Sequence, residues 1–275
     1  MFSELWASVS PWTLYTATTL YSTSNMTEEE IVTYVKMYEG QLPFYSDYKA
    51  YVTWNAVFFD GLENENLKIL ENKKFNTDMI AHCTELIHAC KLLFRACTPC
   101  NSSMITTRVE RLYDFQQMQK ACRTIAFTST SKNSFLKQYQ DKEGIVLLEC
   151  HLPKGTRCAD FAHILHDYQK TEEAEVLLPP YTKLDISPLP LSHDEMHILD
   201  KNGHPPFGKY CLKAQGITLT EEPQFVITQQ DIEGAIRFLT CLNTKMPYEV
   251  SDADKYIQLK KALRYQIRNA FSEEL

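Results

Sequence analysis

From Thr27 the chain reads TEEEIVTYVKMYEG, where Ile31, Tyr34, Val35 and Tyr38 recur at the three-and-four spacing of one helix face. Thr27 and Glu30 form a capping box ahead of that run, and Gly40 closes it, so a helix is predicted there. A second is predicted over NTDMIAHCTELIHACKLLFRAC, where Met79, Cys83, Leu86, Ile87, Cys90, Leu93 and Phe94 keep helical spacing behind an Asn76/Thr77 cap. TPCNSS stops it. Beyond Ser103 the period changes: MITTRV, RTIAFTST, GIVLLECHLP, AEVLLPP and QFVIT are short runs rich in Val, Ile, Thr and Leu, bounded by Pro, Gly and Asn, and read as strands. The closing SDADKYIQLKKALRYQIRNAF returns to helical spacing, with Tyr256, Ile257, Leu263, Ile267 and Phe271 expected inside and Lys260, Lys261, Arg264 and Arg268 expected on the solvated side. The pattern predicts an α+β fold. Residues 1–100 form a helical N-terminal region packed on a β core, 101–275, that ends in a C-terminal helix.

Composition narrows the classes of function. A chain of 275 residues, 44% hydrophobic, can fill a core, and a net charge of -7 with a pI near 5.7 argues against a phosphate-coating nucleic-acid binder. Glycines number eight, and neither a P-loop nor a G-x-G-x-x-G string occurs, so a bound phosphate would be met by side chains or isolated amides. No run reaches membrane-spanning length. The first residues lack the basic leader and continuous apolar stretch of a signal peptide, which implies a cytosolic working place. Eleven of the first 27 residues are Ser or Thr, a composition compatible with an uncleaved signal for injection into a target cell.

Nine cysteines, an odd number without paired spacing, read as reduced thiols. Cys83, Cys90 and Cys97 at sevenfold spacing read as buried small hydrophobes, and Cys97 with Cys100 in CTPC lacks the second pair that a zinc site needs. His163 and His166 likewise have no companion ligands at a diagnostic distance, so no metal is called for.

One stretch resists a purely structural account. EEAEVLLPPY places Glu173 and Glu175 two residues apart, on one face of an extended backbone, where like charges repel. Two further elements precede it: Arg108 ending the strand ITTRV, and Ser129-Thr130-Ser131 behind Phe127. Taken singly, each is ordinary. Arg108 reads as a surface ion-pairing residue that Arg111 or Arg123 could equal, and FTSTSKNS as a polar turn. In order, with IVLLECHLPKGTRCADF between them, they resemble the Arg-Ser-Glu class of mono-ADP-ribosyltransferases over about residues 100 to 230.

That resemblance implies an ADP-ribosyltransferase-like β-sandwich core, NAD as substrate, no metal, and a protein as acceptor, with neither nucleic acid nor membrane as partner. Glu175 would stabilise the oxocarbenium-like transition state as nicotinamide leaves, and Glu173 would align and deprotonate the acceptor. A protonated guanidinium is a poor nucleophile, so arginine is the default acceptor for such a pair. Arg108 would clamp the diphosphate, and Ser129 would fix the rotamer of Glu175. Val109 stands where the family usually has glycine, which narrows access to the backbone groups that hold the carboxamide. Thr130 and Ser131 complete the cofactor contacts, Phe135 and Tyr139 are placed to stack on nicotinamide, and Tyr168 falls in the acceptor-recognition loop. Water as acceptor would give an NAD glycohydrolase toxin instead. A catalytically inactive interaction module is the third reading.

Overall fold

The structure, a computed structural model, describes Glu29 and residues 77–81, 83–134, 142–164, 174–221 and 223–275. The helix expected from Thr27 lies outside the described residues except for Glu29, which is helical. In chain order the described elements are α1 (Thr77–Ala81), α2 (Cys83–Ala96), β1 (Thr98–Pro99), β2 (Met104–Arg111), α3 (Leu112–Ala121), β3 (Thr128–Ser131), β4 (Ile145–Leu152), β5 (Arg157–Asp160), α4 (Phe161–Ile164), β6 (Glu175–Leu178), β7 (Thr182–Leu189), β8 (Lys209–Ile217), α5 (Gln229–Thr244) and α6 (Val250–Ser272). The fold is α+β, as the periodicity predicts. The chain divides into two compact units, Met1–Arg95 with Glu222–Leu275, and Ala96–Glu221. Residues 222–275, read with the β core in the sequence, thus group with the first unit. Among the described residues no helix is long and apolar enough to cross a membrane.

In the first unit α2 buries Cys90, Leu93 and Phe94, and α6 buries Tyr256, Leu263, Ile267 and Phe271, all at the predicted helical spacing. Phe94 and Phe271 stack with ring centroids 4.1 Å apart. QFVIT is not a strand. It runs irregularly into Thr228, whose side chain accepts from the Asp231 amide in a capping box that starts α5, so the local cap overrides the β-branched composition. Gly234 lets α5 approach α6, since a Cβ there would come within 2.6 Å of the Lys255 Cβ. Lys260 departs from the expected solvated side. It follows Tyr256 by one turn, is 2% exposed, and holds its ammonium 5.3 Å from the Tyr256 ring centroid.

The second unit carries an eight-stranded sheet in the order β1-β5-β6-β3-β2-β4-β8-β7. Every pairing is antiparallel except β4 with β8. β4 lies inside this order and its IVLL run is buried on both faces. Val146, Leu148, Cys150 and Leu152 join Phe115 and Met118 of α3, Val176 and Leu178 of β6, and Leu184 and Leu212 in the main core. Ile145 and Leu147 form a smaller cluster with Val109 on the other face. RTIAFTST is strand only from Thr128, because Arg123 makes an isolated bridge to Lys183 and the residues between turn the chain toward β3.

Candidate active site

Strand alternation sorts the side chains of β2 by face. Thr106, Arg108 and Glu110 stand opposite Cys150, Leu148 and Val146 of β4, whereas Thr107 and Val109 stand opposite Glu149 and Leu147. β2 meets β3 at one registered pair, Thr107 with Ser131. Past that pair the Arg108 side chain spans from β2 to β3, and its Nη1 donates to the Ser129 carbonyl at 2.7 Å. The other edge of the guanidinium is held by Glu110: Nε donates to Oε2 at 2.6 Å, and Nη2 lies 2.5 Å from the same oxygen. A planar ion clamped along one edge and at one corner keeps its plane fixed.

Glu110 is 5% exposed. Burial alone would raise its pKa, but Arg108, Lys142 with its Nζ 3.5 Å from Oε1, and the Arg111 amide outweigh burial and hold the carboxyl well below its usual range. Lys142 is likewise held below its ordinary value, by burial first and with help from Arg108 and Arg111, while Glu110 opposes them. Its Nζ also donates to the Val109 carbonyl at 2.8 Å. Val109 itself is 3% exposed and packs with Ile145 and Leu147. The backbone carbonyl beside the arginine, expected to serve a carboxamide, is therefore engaged by Lys142. Glu110 and Lys142 were not singled out in the sequence. The R-x-E spacing, with Glu110 one residue past the predicted run MITTRV, was the available signal for Glu110, since residues two apart on an extended backbone share a face. Lys142 lies in a loop and left none.

β3 pairs with β6 so that Ser131 is opposite Glu175, Thr130 opposite Val176 and Ser129 opposite Leu177. Ser129, Ser131, Leu177 and Glu175 thus share one face, with Glu175 only 5% exposed. Ser131 is the hydroxyl in direct register with the carboxylate, and Ser129 sits one pleat along. The Ser131 Oγ accepts from the Asn133 amide at 3.0 Å, and the Thr107 hydroxyl donates to the Asn133 carbonyl at 2.6 Å. Thr130 points to the opposite face and donates to the Val176 carbonyl at 2.8 Å, binding β3 to β6. Glu173, Phe135, Tyr139 and Tyr168 lie outside the described residues.

The strand bearing Glu175 is fixed at both ends. At its far end the Pro179 carbonyl accepts from the hydroxyls of Thr124 at 2.7 Å and Thr182 at 2.9 Å. At its near end the Ala174 carbonyl accepts from the Lys132 amide at 3.1 Å, with Ala174 in the left-handed region at φ +40. An L-residue with a Cβ is strained there, so the chain turns into Glu175 at a cost met by the surrounding contacts. Replacing Ala174 by Val, whose branched Cβ fits that region worse, is expected to destabilise the fold by about 1–2 kcal/mol. Ala174→Gly should lie within about 1 kcal/mol of the parent, relief of strain opposing the freer unfolded chain. Urea unfolding of the three proteins checks the order.

Burial pushes the thiols of Cys150 and Cys158 up to about 12 and that of Cys97 higher still, which makes them packing groups and not nucleophiles. Cys90, Cys97, Cys100, Cys122, Cys150, Cys158, Cys211 and Cys241 are free thiols. Among the described residues no group of three or more His, Cys, Asp or Glu is placed to hold a metal ion.

No family model matches the chain, and no curated protein does. Solved structures do. The ADP-ribosylating toxin BECa of a Clostridium perfringens binary enterotoxin is similar at 17% identity over 70% of this chain and 46% of its own, with a TM-score of 0.38. The catalytic domain of VahC from Aeromonas hydrophila is similar at 16% identity over 70% of this chain and all of its own (100%), with a TM-score of 0.39. Plx2a, an ADP-ribosyltransferase toxin from Paenibacillus larvae, is similar at 14% identity, with 70% and 96% covered and a TM-score of 0.32. Of these three, BECa and Plx2a are ADP-ribosylating toxins. The chain spans under half the length of BECa, 46%, and of the enzymatic component of a Clostridium botulinum toxin, 44%. At identities and TM-scores this low, the functional reading stands on the side chains.

Proposed function

We propose that the protein transfers ADP-ribose from NAD to a protein side chain, arginine by default, and releases nicotinamide. The observation that carries this reading is the placement of Glu175: a nearly fully buried carboxylate, in register with a Ser131 hydroxyl, on a strand adjoining the one whose main chain anchors Arg108. A negative charge fixed in a low-dielectric setting does little for a neutral ground state. It strongly favours the cationic ribose that develops as the nicotinamide bond breaks.

In this reading Arg108, which starts from the face of β2 opposite the Ser131–Glu175 face and reaches the main chain of β3, meets the diphosphate, and Glu175 faces the nicotinamide ribose. Ser129 and Ser131 share the face of Glu175 and hold its rotamer. Glu173, two residues earlier in sequence, orients the acceptor and takes its proton. Ser131 lines the cofactor side, Val109 and Thr130 contribute to it through their main chain because the Thr130 side chain faces away, Phe135 and Tyr139 stack on nicotinamide, and Tyr168 meets the target protein. NAD enters as substrate, and no metal takes part in the step described.

The test is incubation of the full chain with biotin-tagged NAD and a cell lysate, followed by mapping of labelled residues by mass spectrometry. Label on arginine of one or a few proteins supports the reading. Release of nicotinamide without labelled protein would assign the acceptor to water. Failure to bind NAD in calorimetry, with no nicotinamide released, would overturn the enzyme and leave an interaction module.

A further inference from the structure

We propose that Glu110, braced by Lys142, is the positioning residue that sets the plane and angle of Arg108 for a ligand diphosphate; this rests on the reading of the site given above. Surface arginines sweep many rotamers, and a bidentate phosphate contact is sensitive to the plane of the guanidinium. Here that plane is fixed before any ligand arrives. Glu110 takes Nε and Nη2 through one oxygen, and the Ser129 carbonyl takes Nη1. The second oxygen of Glu110 accepts from the Arg111 amide at 2.9 Å and faces Lys142 at 3.5 Å, so the carboxylate cannot rotate away without breaking those contacts.

Lys142 is itself anchored. Its ammonium donates to the Val109 carbonyl, its own carbonyl accepts from the Lys201 amide at 3.1 Å, and the nearby Gly144 amide is held by the Asp200 carboxylate at 3.0 Å. The chain of contacts runs from Lys142 and Gly144 through a buried carboxylate to the arginine. Charge supports the same assignment: the buried anion is overcompensated by two cations, which leaves net positive charge toward an incoming diphosphate. A salt bridge serving only to join two strands would not need an arginine reaching past its own β2–β4 ladder to the main chain of β3.

The test compares the parent with Glu110→Gln, which keeps the shape and loses the charge. Far-UV circular dichroism at 15 °C establishes that the variant is folded. Nicotinamide release is then followed at varied NAD, with ADP and nicotinamide as competing inhibitors. The expected result is a rise of about tenfold in KM for NAD and in the inhibition constant of ADP, with kcat and the nicotinamide constant within about twofold. Glu110→Asp, which keeps the charge on a shorter stem, should fall between the two.

An ADP constant within twofold of the parent, or an equal loss for ADP and nicotinamide together with kcat, would overturn the positioning role. If Glu110→Gln does not fold, Lys142→Met is read by the same criteria, with a threefold rise in the ADP constant as support and no change as refutation. Should the parent neither cleave NAD nor bind ADP, the transferase reading fails. Should the parent do both while Arg108→Ala alone weakens ADP, the positioning role fails and the transferase reading stands.

Discussion

If the proposed reading holds, Glu175→Gln should cut nicotinamide release to below about a thousandth of the parent rate while leaving the melting temperature within a few degrees. Glutamine preserves the volume and an acceptor oxygen at the start of β6, so the Ser131 register and the turn at Ala174 persist. What disappears is one negative charge. A thousandfold loss corresponds to about 4 kcal/mol, the scale on which a single preorganised electrostatic group acts in a buried site. The effect should fall on kcat at least as much as on KM, because the charge matters most once the ribose is cationic.

Glu173→Gln should behave differently. On the proposed reading its partner is the acceptor, so label transfer to protein should fall far more than cleavage of NAD to free ADP-ribose and nicotinamide. Measuring nicotinamide by chromatography beside labelled protein on gels separates the two. Equal loss of both activities in the Glu173 variant would refute this division of labour.

Much of the β core was legible because its strands announce themselves by composition. GIVLLECHLP is β4 and AEVLLPP is β6, both buried runs too short for a helix. The misses have physical causes. β7, TKLDISPL, alternates Leu184 and Ile186 with Lys183 and Asp185, a half-buried strand signal that Pro188 weakens. α3 follows β2 without a break, and its Arg111 N-cap position offers no side-chain cap, so the sequence carries no start signal. QFVIT has strand composition but belongs to the approach to a capping box. Lys260 is buried ammonium and all, with its charge beside the Tyr256 ring, where a count of charges assigns it to solvent.

The site was legible only in part, since order along the chain names residues and does not orient them. Arg108, the serine pair and Glu175 lie on the neighbouring strands β2, β3 and β6. Yet two facts needed coordinates: Ser131 is the hydroxyl in register with Glu175, and Arg108 shares its face of β2 with Glu110. Register is decided by which backbone pairs form, and a shift of one residue would exchange the faces.

The same Glu110 should make the fold sensitive to acid over a defined range. Its ordinary pKa of 4.5 is lowered to about 2 in the folded protein, burial being outweighed by Arg108 and Lys142. The unfolded chain therefore takes up the proton first as the pH falls. Stability from this group is complete above about pH 4.5 and drains away between there and about pH 2. A shift of this size is worth about 3 kcal/mol, a substantial share of the 5–15 kcal/mol that holds a typical domain together. Glu110 is almost fully buried, so solvent screening does not remove the effect. Glu110→Gln mimics the protonated acid at every pH and leaves Arg108 and Lys142 without their anion. Its urea midpoint should lie well below that of the parent at pH 6, and the gap should narrow steadily toward pH 2.5 as the parent loses what the variant never had. A gap of constant size across that range would mean that the carboxylate contributes through shape and hydrogen bonding, with no charge-dependent part.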